Sequence, residues 1–213
     1  MSKPYYADDL VTIYRTIVID PPWRYTVTQG LPNRYAEEPK RRRVRPTAEG
    51  QYATMTNDEI AALPVGDMAA EKAHLYLWVT NPHLFGTGLR GASRGPSPIE
   101  MLRGWGFTYV TLLTWHKLGA PGMGFYFRGD TEHVIFGVKG RLAIPAHLRE
   151  SNHFAASRTV HSAKPDRFYE MVERVSPGPY LELFARRRRY GWDVWGNEAP
   201  TEAASQAEMG LGA

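Results

Sequence analysis

Cysteine is absent from the 213 residues. That excludes a disulfide framework, a thiolate metal site and a cysteine nucleophile. A zinc-dependent base deaminase goes with them, because it needs a P-C-x-x-C pair. No run approaches the eighteen apolar residues of a membrane span, and the opening MSKPYYADDL lacks the apolar core of a signal peptide. The expectation is a cytoplasmic protein without membrane contact. The seven histidines are scattered without ligand spacing, so no metal site is expected.

Positive charge, by contrast, is plentiful and clustered. The formal charge is +4 with a pI near 9.3. Residues 40–45 read KRRRVR and residues 186–189 read RRRR. Such clusters are the footprint of polyanion binding, although a solvated basic face has the same composition. Aromatic residues make up 12% of the chain, including six Trp and twelve Tyr, which supplies stacking surfaces for bases. The length and the 43% hydrophobic content suit one domain, expected over residues 1–198, with a polar tail at 199–213 expected to be disordered.

Apolar runs alternate with helical patterns. TIVI, HLYLWV, TYVTLLTW, EHVIFGV, YLELFA and WDVW read as strands. TNDEIAALPV and SPIEMLRGWGF each open with a capping box, Thr56 to Glu59 and Ser97 to Glu100. In KPDRFYEMVERVSPG, Phe168, Met171, Val172 and Val175 share one helical face. The alternation predicts a Rossmann-like α/β fold with a mostly parallel sheet. TYVTLLTW and EHVIFGV have no helix between them, which predicts one antiparallel strand. Residues 24–54 are basic and punctuated by Pro and Gly, and are expected to form an active-site loop.

The stretch TIVIDPPWRY drives a buried strand into Asp20, Pro21, Pro22 and Trp23. Prolines cannot continue a sheet but do hold a rigid loop at the carboxyl edge, where α/β ligands bind. The chemistry suits activation of a base's exocyclic amine, whose lone pair is delocalised into the ring. The Asp20 carboxylate and the Pro21 carbonyl, both accepting from the NH2, would aim that nitrogen at an electrophile. Trp23 is expected to offer a flat face to the extruded base. In the plainer alternative Asp20 only caps the loop or pairs with an arginine.

From VIDPPW through MTNDEIAALPV, HLYLWVTN, LLTWHK and EHVIFGVKG to HSAKPDRFYEMVERVSPGPYLELFARRRRYGWDVWGNE, nearly the whole chain resembles the DPPW adenine-N6 methyltransferases of the β permutation. That family is typified by the catalytic subunit of the eukaryotic mRNA adenosine methyltransferase. FARRRRYGWDVWGNE resembles its prokaryotic and phage branch. The resemblance implies S-adenosylmethionine as cofactor, with the catalytic half preceding the cofactor half. It implies Asp20 and Lys164 at the methionine end, Glu182 and Arg186 at the ribose, and Asn197 and Glu198 around the cofactor's adenine and ribose. It carries no role to Arg188 or Arg189. GMGFYFRGDTEH holds Arg128, Glu132 and His133, which the resemblance turns toward substrate; a plain surface hairpin is the alternative. Arg41, Arg42 and Arg43 are expected to hold substrate phosphates.

GTGLRG, residues 86–91, is a literal G-x-G-x-x-G but runs into ASRGPSP rather than an apolar helix, so it reads as a loop. The expected function is S-adenosylmethionine-dependent methylation of adenine N6 in DNA or RNA, with a homo- or heterodimer compatible with it. The alternative is an inactive nucleic-acid- or partner-binding subunit of the same fold.

Overall fold

A computed structural model describes residues 13–24, 54–85, 95–122, 127–158 and 163–195. Arg41, Arg42, Arg43, Asn197, Glu198, the GTGLRG stretch, the tail and residues 25–53 of the expected active-site loop lie outside them. Among the described residues, seven strands form one sheet: β1 (Tyr14–Ile19), β2 (Ala69–Val79), β3 (Thr108–Leu118), β4 (Thr131–Lys139), β5 (His153–Ser157), β6 (Tyr180–Leu183) and β7 (Trp192–Trp195). Their order is β5-β3-β4-β2-β1-β6-β7. β4 runs antiparallel to β2 and β3, and every other pairing is parallel. The mostly parallel Rossmann-like sheet with one reversed strand is as expected, because a direct β3–β4 connection without a helix reverses the chain.

Central strands are apolar on both faces, as a parallel sheet covered on two sides requires. Ile17, Ile19, Leu75, Leu77 and Ile135 pack beneath α1 (Asn57–Ala61), α2 (Val65–Met68) and α3 (Pro98–Gly104). Val18, Tyr76, Trp78, Val134 and Phe136 pack beneath α4 (Asp166–Val175). Both capping boxes form: Thr56 and Ser97 accept from the Glu59 and Glu100 amides while those carboxylates reach back. α3 lies close to β4, since a Cβ on Gly137 would stand 2.7 Å from Leu102. The first predicted helix ends at Ala61, and Pro64 caps the start of the separate single turn α2. β5 was not foreseen; it is an edge strand in which Phe154 alone is buried. No helix among the described residues is long and apolar enough to cross a membrane.

Candidate active site

β1 lies inside the sheet, between β2 and β6, and its carboxyl end delivers Asp20 to the sheet edge. The Asp20 amide makes a last sheet-like bond to the Leu183 carbonyl at 3.3 Å. Beyond it the prolines supply no N–H, so the corner is tied through carbonyls. Pro21 O accepts from the Trp23 amide at 2.8 Å and Pro22 O from the Met55 amide at 2.8 Å. Carbonyl oxygen has two lone pairs, so Pro21 O retains one.

Trp23 departs from expectation. It is 4% exposed, donates its indole N–H to the Trp78 carbonyl at 3.0 Å, and stacks on His83 with centroids 5.0 Å apart. Both its polar atom and its ring are occupied within the protein. The residue pegs the corner into the core and offers no open stacking face.

Four charged side chains follow one another from Asp20 in alternating sign. Lys164 Nζ lies 3.0 Å from Asp20 Oδ1 and 2.8 Å from Glu132 Oε1, and Lys117 Nζ lies 2.8 Å from Glu132 Oε2. Lys164 is 6% exposed and stands over the Trp78 ring at 4.5 Å. It precedes α4, held there by extended Pro165. Burial raises the Asp20 carboxyl above its ordinary range, and the attraction of Lys164 offsets this only in part. Burial also opposes charge on Glu132 and Lys164, but here the partners win: two lysines hold Glu132 low, and two acids hold Lys164 high.

Asp20, Lys164, Glu182 and Arg186 line one cleft with Ala163, Tyr169, Phe184 and Arg187. Glu182, on β6, accepts from the Tyr169 hydroxyl at 2.7 Å, and burial pushes its carboxyl up to about 7. This donor set fits S-adenosylmethionine: a cation beside an acid for an amino-acid zwitterion, and a carboxyl acceptor for a diol. A larger apolar cavity of about 450 Å³, between α4 and the β3–β4 pair, contains none of the expected site residues.

Other expected residues stand apart. Arg128 donates to the Pro121 and Gly122 carbonyls at 2.7 and 3.1 Å, clipping the hairpin base instead of facing the cleft. His133 meets Thr114 across the strands at 3.1 Å, and alternation along β4 puts it on the face opposite Glu132. The RRRR cluster is partly neutralised: Arg187 pairs with Asp166 at 2.5 Å, and Arg189 forks onto Glu173 at 2.6 and 2.9 Å. Lys117, Tyr169 and Trp78 were missed. LLTWHK and KPDRFYE stood out in the sequence, but pairing of Lys117 with Glu132 and of Tyr169 with Glu182 depends on the fold.

The MT-A70 family model matches residues 14–198. The chain is 30% identical over 206 residues to the type II methyltransferase M.MunI of Mycoplasma sp, covering 92% of this chain and 83% of that protein. It is 28% identical to the human N(6)-adenine-specific methyltransferase METTL4 over 87% of this chain and 37% of that protein. It is 26% identical to the human N(6)-adenosine-methyltransferase catalytic subunit METTL3, again over 87% of this chain but 28% of that protein. The chain thus spans most of M.MunI and well under half of the two human relatives. A match over residues 14–198, carrying the corner and the lysine that meets it, means that the chain belongs to the MT-A70 family.

Proposed function

We propose that the chain transfers a methyl group from S-adenosylmethionine to the N6 amine of adenine in a nucleic acid. The observation that carries this reading is Asp20, fixed at the carboxyl end of β1 and joined within 3.0 Å to Lys164. When bound, the cofactor supplies a methyl group on a sulfonium, an electrophile that a nitrogen attacks in line. Lys164 would hold its methionine carboxylate, with Glu182 and Arg186 on the ribose side. Asn197 and Glu198, outside the described residues, are assigned to its adenine and ribose.

Asp20 uses Oδ1 toward Lys164. A carboxylate offers about four acceptor sites, which leaves capacity for the incoming amine. Together with Pro21 O it draws the N6 lone pair out of conjugation and aims it. A base held this way is held out of its stack. One N–C bond forms, one S–C bond breaks and one proton leaves N6. The amine becomes acidic only once methylated, so no strong base is needed earlier. Asp20, whose proton affinity burial has raised, or water then takes the proton.

The test is tritiated methyl transfer onto defined DNA and RNA oligonucleotides, with the product nucleoside identified by mass spectrometry. Asp20→Ala is expected to abolish turnover, a far larger loss than the weakening of S-adenosylhomocysteine binding, measured calorimetrically, that follows from removing the acid beside Lys164. A turning-over Asp20→Ala variant removes Asp20 from the mechanism. A wild-type chain that binds oligonucleotide without transfer supports the inactive-subunit reading instead.

A further inference from the structure

The reaction above makes no use of His83, yet the residue is 1% exposed and lies against the DPPW corner. It closes the short 3-10 turn Asn81–His83 that follows β2. A carbonyl, a hydroxyl and an indole of the described residues converge on its ring. Nε2 lies 3.1 Å from the Arg24 carbonyl oxygen, Nδ1 lies 2.9 Å from Thr80 Oγ1, and the ring stacks on Trp23. A carbonyl only accepts, so Nε2 carries the hydrogen and the neutral ring accepts the Thr80 hydroxyl at Nδ1. Burial keeps the ring neutral by lowering its pKa.

These interactions fall at the far end of the corner. The near end is secured by β1, whose pairing finishes with the Asp20 amide on Leu183. Between the two ends stand Pro21 and Pro22, which have no N–H and are tied only through their carbonyls, Pro21 to the Trp23 amide and Pro22 to the Met55 amide. The Pro21 carbonyl is tied to Trp23 itself, so its orientation and that of Asp20 depend in part on what holds Trp23 and Arg24. His83 holds both, through the ring of one and the carbonyl of the other. We propose that His83 is a positioning residue for methyl transfer, fixing the end of the corner so that the Asp20 carboxylate and the Pro21 carbonyl converge on the acceptor amine. This rests on the function proposed above.

Wild type, His83→Ala and His83→Gln are compared for kcat, for KM of S-adenosylmethionine, and for S-adenosylhomocysteine affinity. A misplacement of about 1 Å costs up to ~100-fold in rate, so His83→Ala should lose ten- to a hundredfold in kcat. Cofactor affinity should fall less than kcat, because of the cleft residues only Asp20 belongs to the corner, whereas Lys164, Glu182 and Arg186 lie outside it. His83→Gln, which restores an N–H toward the Arg24 carbonyl, should regain part of the kcat. Wild-type kcat in a folded alanine variant overturns the proposal, as does a cofactor affinity that falls in step with kcat. If the alanine variant does not fold, Thr80→Val loosens the same ring in its place, and unchanged kcat there overturns it equally. A wild-type chain that transfers no methyl group sinks the functional reading and this proposal together; an active wild type with unaffected variants sinks this one alone.

Discussion

Replacing Lys164 with Met removes the one cation that stands between Asp20 and Glu132 while keeping a chain of similar length over the Trp78 ring. The ammonium is 2.8 Å from Glu132 and 3.0 Å from Asp20, and all three side chains are at most 13% exposed. Breaking a buried pair by deleting one partner costs ~3–5 kcal/mol, because the other charge is left uncompensated. Glu132 keeps Lys117 at 2.8 Å, so the penalty falls chiefly on Asp20 and the lower end, about 3 kcal/mol, applies. For a chain of this size each kcal/mol moves the midpoint by ~2–4 °C, giving a Tm lower by roughly 6–12 °C at pH 8. The sign of the pH effect is fixed. Lys164 is held above its ordinary pKa, so its contribution is wholly present at pH 8 and is lost only as pH rises through that higher value. Asp20, already raised by burial, rises further without the cation. Acidification to pH 5 therefore favours its neutral form more in the variant than in the wild type and relieves the uncompensated charge, so the deficit should shrink. Thermal unfolding followed by circular dichroism at the two pH values reads both effects. Equal midpoints at pH 8, or a deficit that does not shrink at pH 5, would refute the reasoning.

Three further outcomes are expected. Burial lifts Glu182 from 4.5 to about 7, so its proton is bound more tightly in the folded state. Stability present below its ordinary pKa is lost as pH rises through 7, by at most ~3 kcal/mol. Glu182→Gln, which still accepts from Tyr169, should flatten the urea-unfolding free energy across that window, and an unchanged slope counts against the assignment. Gly140 has φ +63° and a Cβ there would stand 1.9 Å from the Glu71 carbonyl oxygen, so Gly140→Ala should lower stability by ~1–3 kcal/mol in urea titration. A wild-type midpoint would show that the turn relaxes freely. Changing Arg41, Arg42 and Arg43 together to Ala should weaken all oligonucleotides about equally and reduce the log affinity against log salt slope by ~0.7–0.9 for each phosphate that is no longer neutralised; an unaltered slope makes the stretch surface charge.

The central strands and the four-residue corner were legible because their signals are local. A run such as Ile17-Val18-Ile19 fits burial on both faces, and two prolines after an acid stop a strand whatever lies elsewhere. β5 was illegible for the converse reason. With one buried residue, Phe154, it has no periodicity of its own and exists because β3 presents an edge to pair with. Site residues divided along the same line. Lys164, Glu182 and Asp20, far apart in sequence, line one cleft. Direction and partner, however, are set by the fold and leave no local trace. Trp23 has the ring that stacking needs, but its indole N–H finds Trp78 O, 55 positions away, and the ring turns inward. Arg187 and Arg189 count as two charges in a composition, yet Asp166 and Glu173 on α4 neutralise them in space. Basic clusters therefore overstate the charge available to a polyanion whenever a helix opposite supplies acids at matching heights.

The reversed strand is what makes the charge chain feasible. In a wholly parallel sheet every strand would bring its last residues to the edge where β1 releases Asp20, and the start of β4 would lie at the opposite edge, a strand length away. Because β4 runs against β2, with Val79 opposite His133, its first residues arrive beside the last residues of β2. Glu132 thus reaches the carboxyl edge from a strand that begins there, and β3, whose end carries Lys117, comes up beside it with Trp115 opposite Glu132. One hairpin in this way supplies both an acid and its cation to the Lys164 side of the cleft. The remaining members come from the parallel part: Asp20 from the end of β1, Glu182 from β6, and Lys164 from the segment that enters α4. Among the described residues no helix intervenes between β3 and β4, and the sequence there, two apolar runs joined by a short glycine-rich link, leaves little chain for a crossover, which is the cause of the reversal. The site therefore depends on a missing element as much as on the DPPW corner: with a crossover helix in that link β4 would point the other way, and Lys164 would face Asp20 without Glu132 to share it.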